Sequence, residues 1–168
     1  SKMQNYDIES GYWWIELGGT QNTIDDAEEI RDELLKTLYG VWDHIKNKGD
    51  HGAENYALDW VQFLPGKRES RRIEGDYILR EQDLLEGRVF EDTVAYGGWP
   101  MDMHPPQGFL FGGDPTKYIA LENIYTIPYR CFYSKDITNL MMAGRNISTT
   151  HMAFGSTRVM ATCAAGGQ

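Results

Sequence analysis

Apolar residues recur at spacings of three and four along one segment: Ile24, Ala27, Ile30, Leu34, Leu35, Leu38, Val41, Trp42 and Ile45. That stripe predicts an α-helix of about 25 residues, spanning ~37 Å. Asn22 or Thr23 can cap its start, because a short side-chain oxygen accepts from the free N–H groups of the first turn. Asp25, Asp26, Glu28 and Glu29 crowd that end, Lys46 and Lys48 sit at the other, and Gly49 follows. This is the charge order the helix dipole favours, and the acidic face reads as a solvated one.

Elsewhere the pattern shortens. The aromatic, β-branched run 11–19, closed by Gly18-Gly19, predicts a strand, as do 59–64 before the Pro65-Gly66 turn and 124–130. Residues 67–72 place Lys67, Arg68, Arg71 and Arg72 close together before 73–79, and residues 81–86 predict one or two helical turns ending at Gly87. From Val94 to Asp114 the chain turns to Gly, Pro and aromatics, a long irregular stretch of the kind that carries function. Residues 139–145 are apolar and end in Ala-Gly-Arg, which predicts a strand buried on both faces of a parallel sheet. Residues 146–154 form a polar connection, and 156–165 predict a helix of small residues that backbone or ligand can approach closely. Unpaired N–H groups beside Ser156 would offer a seat for an electron-rich edge. These elements predict an α+β fold: a mixed, largely antiparallel sheet with a long helix.

Composition narrows the function classes. The chain of 168 residues has a net charge of −9, which argues against a non-specific nucleic-acid binder. Residues 1–135 carry 14 basic and 24 acidic groups, whereas 136–168 carry 2 and 1, and this break predicts two parts. No stretch approaches the ~18–20 apolar residues of a membrane span, and the N-terminus lacks the basic-then-apolar plan of a signal peptide. Cys131 and Cys163 make neither a disulfide scaffold nor a four-cysteine zinc site, and four scattered His predict no metal site.

The C-terminal residues Asn139-Leu-Met-Met-Ala-Gly-Arg-Asn-Ile-Ser148, then Thr150-His-Met-Ala-Phe-Gly-Ser-Thr-Arg-Val-Met-Ala-Thr-Cys163 and Gly167-Gln168, resemble a flavin-binding signature. It is that of FAD-dependent oxidoreductases of the two-dinucleotide-binding-fold group, many of whose members are labelled putative xanthan lyase. Gly18-Gly19, 42–47, 65–72, Gly97-Gly-Trp-Pro100 and Ile127-Pro-Tyr-Arg130 resemble the same family in the same order. The resemblance implies that 1–135 is a portion of a substrate-binding domain. It implies that 136–168 is the returning strand and helix of a Rossmann-like FAD domain. Ala143-Gly144-Arg145 would pass under the ribityl-pyrophosphate, and the helix near Ser156, Arg158 and Val159 would face the flavin ring edge, where N–H groups stabilise negative charge. Asn146, Ser148, Gly167 and Gln168 complete the implied cofactor set. No G-x-G-x-x-G follows a strand in this chain. The resemblance therefore places that fingerprint upstream of Ser1 as a partner region, and implies that the 168 residues alone bind FAD weakly or not at all.

Candidate chemistry follows. His104 or His151 can take a proton from an alcohol or amine as hydride leaves to flavin, with Asp102 beside His104 in the stiff Pro-rich loop. Arg68, Arg71, Arg72 and Arg130 can hold a carboxylate by forked hydrogen bonds or can pair with neighbouring acids. Trp13, Trp14, Trp60 and Trp99 suit sugar stacking or a core, and Tyr129 lies beside Arg130. The expected function is oxidation of a small polar or carbohydrate-like substrate by hydride transfer to FAD. Two alternatives remain at this level: a lyase acting on uronate-containing glycans through His104, Tyr129 and Arg130, or a non-catalytic glycan-binding module.

Overall fold

The protein is described here by a computed structural model covering residues 14–48, 51–69 and 71–168. Residues 11–13 of the first predicted strand, with Trp13, the Gly49 helix stop and Ser70 of the basic run, lie outside the described residues. The described part is α+β, with four helices and four short strands in two antiparallel pairs. By packing it divides into two compact units, one of 1–70 with 104–115 and the other of 71–103 with 116–168. Residues 136–168, set apart by charge, share the second unit with 71–103 and 116–135.

The first unit is built on α1, Ala27–Asn47. Its apolar stripe buries Ile30, Val41 and Ile45, with Ala53, Ile15, Trp42 and Phe109 packed around the last two. The helix starts later than the stripe predicts. Asn22 Oδ1 caps the turn before it, accepting from the N–H of Ile24 and Asp25 at 3.0 and 3.3 Å. At the other end Lys46 Nζ donates to the carbonyls of Ala53 and Tyr56 and so holds the following loop. Gly18 has φ +87°, and a Cβ there would meet Ile30 at 2.8 Å, so the turn and the helix fix each other. Residues 14–17 and 59–64 are not strands; Trp60, Phe63 and Leu64 are exposed, where strand pairing would have buried one face.

In the second unit, β1 (Thr93–Gly97) pairs with β4 (Tyr125–Pro128), and β2 (Met101–Met103) with β3 (Lys117–Ile119). The stretch read as irregular from Val94 therefore contains strands, because ladder bonds to distant segments override a glycine- and aromatic-rich composition. The short α2, Glu81–Leu85, forms where predicted, and Gly87 ends it with φ +60°. Asp83 ties this corner together. Its buried carboxylate accepts from the Arg80 N–H, the Tyr77 hydroxyl and Arg88 Nη1, each at about 3.0 Å. The core of the unit gathers Leu79, Leu84, Phe90, Tyr125, Ile127, Cys131, Met142, Ile147 and Ala153.

The C-terminal reading is corrected in two places. Residues 139–145 make no parallel strand: Met141 bridges Tyr133 antiparallel, Met142 N–H donates to Phe132 O at 2.7 Å, and Met141 is 60% exposed. The parallel pairing falls on the polar connection instead. Leu79 N–H donates to Ser148 O, Thr150 N–H donates to Leu79 O, and Ser148 N–H donates to Cys131 O. The predicted single helix is two: α3, His151–Thr157, and α4, Met160–Gly167, separated where Val159 turns to an extended ψ of 147°. Thr150 caps α3, its hydroxyl accepting from Ala153 N–H at 3.2 Å. No helix among the described residues is long and apolar enough to cross a membrane.

Burial has a measurable consequence at Cys131. Its thiol donates to Tyr77 O at 3.4 Å, and loss of hydration pushes its pKa up to about 12. An unfolded thiol ionises near 9, so the unfolded state releases a proton first. Stability from this group is complete below about pH 9 and is lost as pH rises toward about 12, at about 1.4 kcal/mol per pH unit. Cys131→Ala is expected to flatten that part of a stability-against-pH curve measured by denaturant unfolding. At pH 8 a thiol reagent is expected to modify the half-buried Cys163 well before Cys131.

Candidate functional site

Helix α3 collects the chemistry of the second unit. Because it begins at His151, residues His151, Phe154 and Arg158 stand at i, i+3 and i+7 and share one face. Two further cations meet that face: the guanidinium carbons of Arg72 and Arg145 lie 5.6 and 5.5 Å from the centroid of the buried Phe154 ring. Arg158 Nη2 donates to Asp102 Oδ2 at 2.8 Å, with both side chains 15% exposed. Strand β2 can bring Asp102 there because α3 carries Gly155 at the crossing, where a Cβ would sit 3.0 Å from Asp102 O.

The electrostatics follow from this crowding. Burial lowers the pKa of Arg72 below the usual guanidinium value. Burial, then the charges of Arg72 and Arg158, lower that of His151, so its imidazole is neutral at physiological pH. Beside it, Ser148 Oγ and Thr149 Oγ1 are buried without a hydrogen-bond partner. Gly144 adopts φ +99°, and a Cβ built on it would meet nothing within 4 Å, so its backbone is open to close approach.

The other predicted residues take different places. Ser156 is not at a helix N-terminus but at the buried end of α3, where its hydroxyl donates to Trp99 O and accepts from Tyr125. The N-terminus predicted there belongs to Val159, which precedes α4. The Trp99 indole is exposed, and only its carbonyl joins the Ser156 contact. Asn146 O accepts from Ile73 N–H, holding the extended segment in place. Arg130 makes a two-pronged pair with Asp92 at 2.9 and 3.1 Å and stacks over Tyr77, the structural use of that residue. Arg71 is exposed. Tyr129 and Gly167 line an open apolar groove of about 380 Å³ with Phe132, Met141, Met142 and Ala143, while the exposed Gln168 ends α4.

His104 lies in the first unit, two residues beyond Asp102 but in a different body. Its Nδ1 is 2.9 Å from Glu16 Oε2, and Arg68 pairs with the same carboxylate. Arg68 Nη1 is 3.3 Å from His104 Nδ1 and Arg68 Nη2 is 3.3 Å from His104 Nε2. Sequence reading missed Glu16 here, and in the second unit it missed Phe154 and Thr149. Starting the last helix at His151 would have exposed the 151–154–158 face.

A family model described as FAD dependent oxidoreductase matches residues 2–168. The chain belongs to that family. Among curated proteins and among solved structures no match is found. For an FAD dependent oxidoreductase, the residues of the second unit fit the cofactor: open backbone at Gly144, buried hydroxyls at Ser148 and Thr149, and cations at Arg145 and Arg158. Among the described residues no group of His, Cys, Asp and Glu is arranged to hold a metal ion.

Proposed function

We propose that this chain supplies the substrate-side surface and the flavin contacts of an enzyme that oxidises a small polar or carbohydrate-like substrate. Bound FAD would supply the hydride acceptor. Gly144, Arg145, Ser148 and Thr149 would hold the cofactor's polar portion, with 136–168 as the FAD-domain part and 1–135 on the substrate side. His151 accepts the proton of the substrate hydroxyl. Supporting this is its position at the start of α3, where partial burial, and then the charges of Arg72 and Arg158, lower its pKa and favour the neutral imidazole. Arg158, held by Asp102, keeps the face rigid, and Phe154 excludes water from beneath it. The carrying observation is that His151, Phe154 and Arg158 share one helix face in the same unit as Gly144 and Ser148.

The test is reduction of bound flavin by a panel of polar alcohols and sugars without oxygen, followed by loss of the flavin's visible absorbance in the holoprotein. His151→Asn is expected to slow reduction by about 10²-fold or more while leaving FAD content unchanged. A holoprotein that takes up FAD but is reduced by none of the panel would overturn the reading.

A further inference from the structure

Helix α2 carries no candidate of its own, yet it holds the start of the helix that does. Leu79 and Thr149 face each other in a parallel bridge. Leu79 N–H donates to Ser148 O at 3.1 Å, and Thr150 N–H donates to Leu79 O at 2.8 Å. Two residues past the bridge on each segment a helix begins, α2 at Glu81 and α3 at His151. The shared register therefore starts the two helices side by side.

Glu81 ties these starts together. Its Oε2 accepts from the Thr150 hydroxyl at 3.1 Å, and that hydroxyl accepts from Ala153 N–H at 3.2 Å, the bond that caps α3. Its Oε1 accepts from Gln82 Nε2 at 3.3 Å. Bonds from its own backbone N–H, then from Thr150 and Gln82, hold the Glu81 carboxyl below the usual carboxylate range. An ionised carboxylate only accepts, and a threonine hydroxyl has one proton to give. With Glu81 charged, that proton points to α2 and the lone pairs stay turned to Ala153. Remove the acceptor, and the hydroxyl can give its proton to other local backbone groups, so the cap becomes one of several arrangements. The platform itself is firm, because the buried Asp83 accepts from Arg80 N–H, Tyr77 and Arg88.

We propose that Glu81 is a positioning residue for His151. By fixing the direction of the Thr150 hydroxyl it holds the first turn of α3, and with it the imidazole, in one arrangement. This rests on the function proposed above, in which His151 accepts the substrate's proton. Proton transfer demands hydrogen-bond reach, and a displacement of about 1 Å costs on the order of 10²-fold in rate. Glu81 acts through Thr150 and makes no contact with the reacting atoms.

Variants of the FAD-loaded holoprotein separate this hydrogen bond from charge and packing. Glu81→Ala and Thr150→Val are each expected to lower the limiting rate of anaerobic flavin reduction by about 10-fold, with half-saturating substrate concentration and FAD content unchanged. Glu81→Gln keeps an acceptor and Thr150→Ser keeps the hydroxyl, so each is expected to stay within about 3-fold of the wild type. The double variant Glu81→Ala with Thr150→Val is expected to be no slower than the slower single variant, since both remove one bond. NMR reads the positioning without turnover. In Glu81→Ala the Ala153 amide is expected to exchange at least about 10-fold faster and the His151 ring signals to shift, while amides of β1 and β4 keep their protection. Should Glu81→Ala fail to fold, Thr150→Val carries the same measurements. The proposal is overturned if the folded variant reduces its flavin at the wild-type rate, or if the Ala153 and His151 signals stay unchanged. It is also overturned if Glu81→Gln is as slow as Glu81→Ala. A wild-type flavin that no substrate reduces would sink the oxidation alone, and the NMR measurements would still decide whether Glu81 places His151.

Discussion

Asp102→Ala is expected to destabilise the protein by about 3 kcal/mol or more, lowering the unfolding midpoint by about 6–12 °C. The partner is what makes the cost large. Arg158 cannot shed its proton, and at 15% exposure its guanidinium cannot recover its hydration once the carboxylate is gone. An exposed pair would lose less than about 1 kcal/mol, so a small effect would show that the pair is solvated in solution. Replacing both partners, as Asp102→Leu with Arg158→Met, is expected to recover most of the loss, because no uncompensated charge remains. A second readout separates electrostatics from packing. Without Asp102 the full charge of Arg158 acts on His151, so the His151 pKa in the single variant is expected to fall further below its already lowered value. An NMR titration of the imidazole reads this directly.

Gly97→Ala is expected to cost about 3 kcal/mol, at the upper end of overpacking effects. Gly97 pairs with Tyr125 across β1 and β4, and a Cβ there would sit 2.4 Å from the Tyr125 hydroxyl oxygen and 2.5 Å from the ring carbon that bears it. The ring has no room to yield. It is fully buried, and its hydroxyl is 2.7 Å from Ser156 Oγ, which in turn donates to Trp99 O at 2.5 Å. Moving the ring breaks that relay and strands buried polar atoms. Tyr125→Phe in the Gly97→Ala background removes only the oxygen contact, so it is expected to recover little. Thermal unfolding of the two variants decides the matter, and a loss under about 1 kcal/mol for Gly97→Ala would show that the sheet relaxes.

The two predictions show where function and fold meet. Asp102 reaches Arg158 because Gly155 lets β2 cross α3 closely, and that crossing fixes the face on which His151 and Phe154 stand. Ser156, read from sequence as a cofactor contact, is held by Tyr125 and Trp99 at the buried end of the same helix. It seats α3, and with it the face on which His151 and Phe154 stand.

What the sequence by itself determined is the part governed by local pattern. The stripe from Ile24 to Ile45 requires one helix, Gly87 ends another, and 125–128 forms the strand its composition predicts. The motif around 139–168 is enough to indicate the family, because glycine, arginine and small residues at fixed spacing form a pattern independent of packing. The tertiary structure alone decided which segment pairs in parallel. Asn146-Ile-Ser-Thr-Thr150 looks like a surface connection, yet Leu79 and Cys131 supply its backbone partners and bury Ile147, Ser148 and Thr149. It also decided the break between α3 and α4 and the meeting of Glu16 with His104, 88 positions apart. These features depend on hydrogen bonds and charges supplied by distant segments, and periodicity carries no information about a partner that is not a neighbour in the chain.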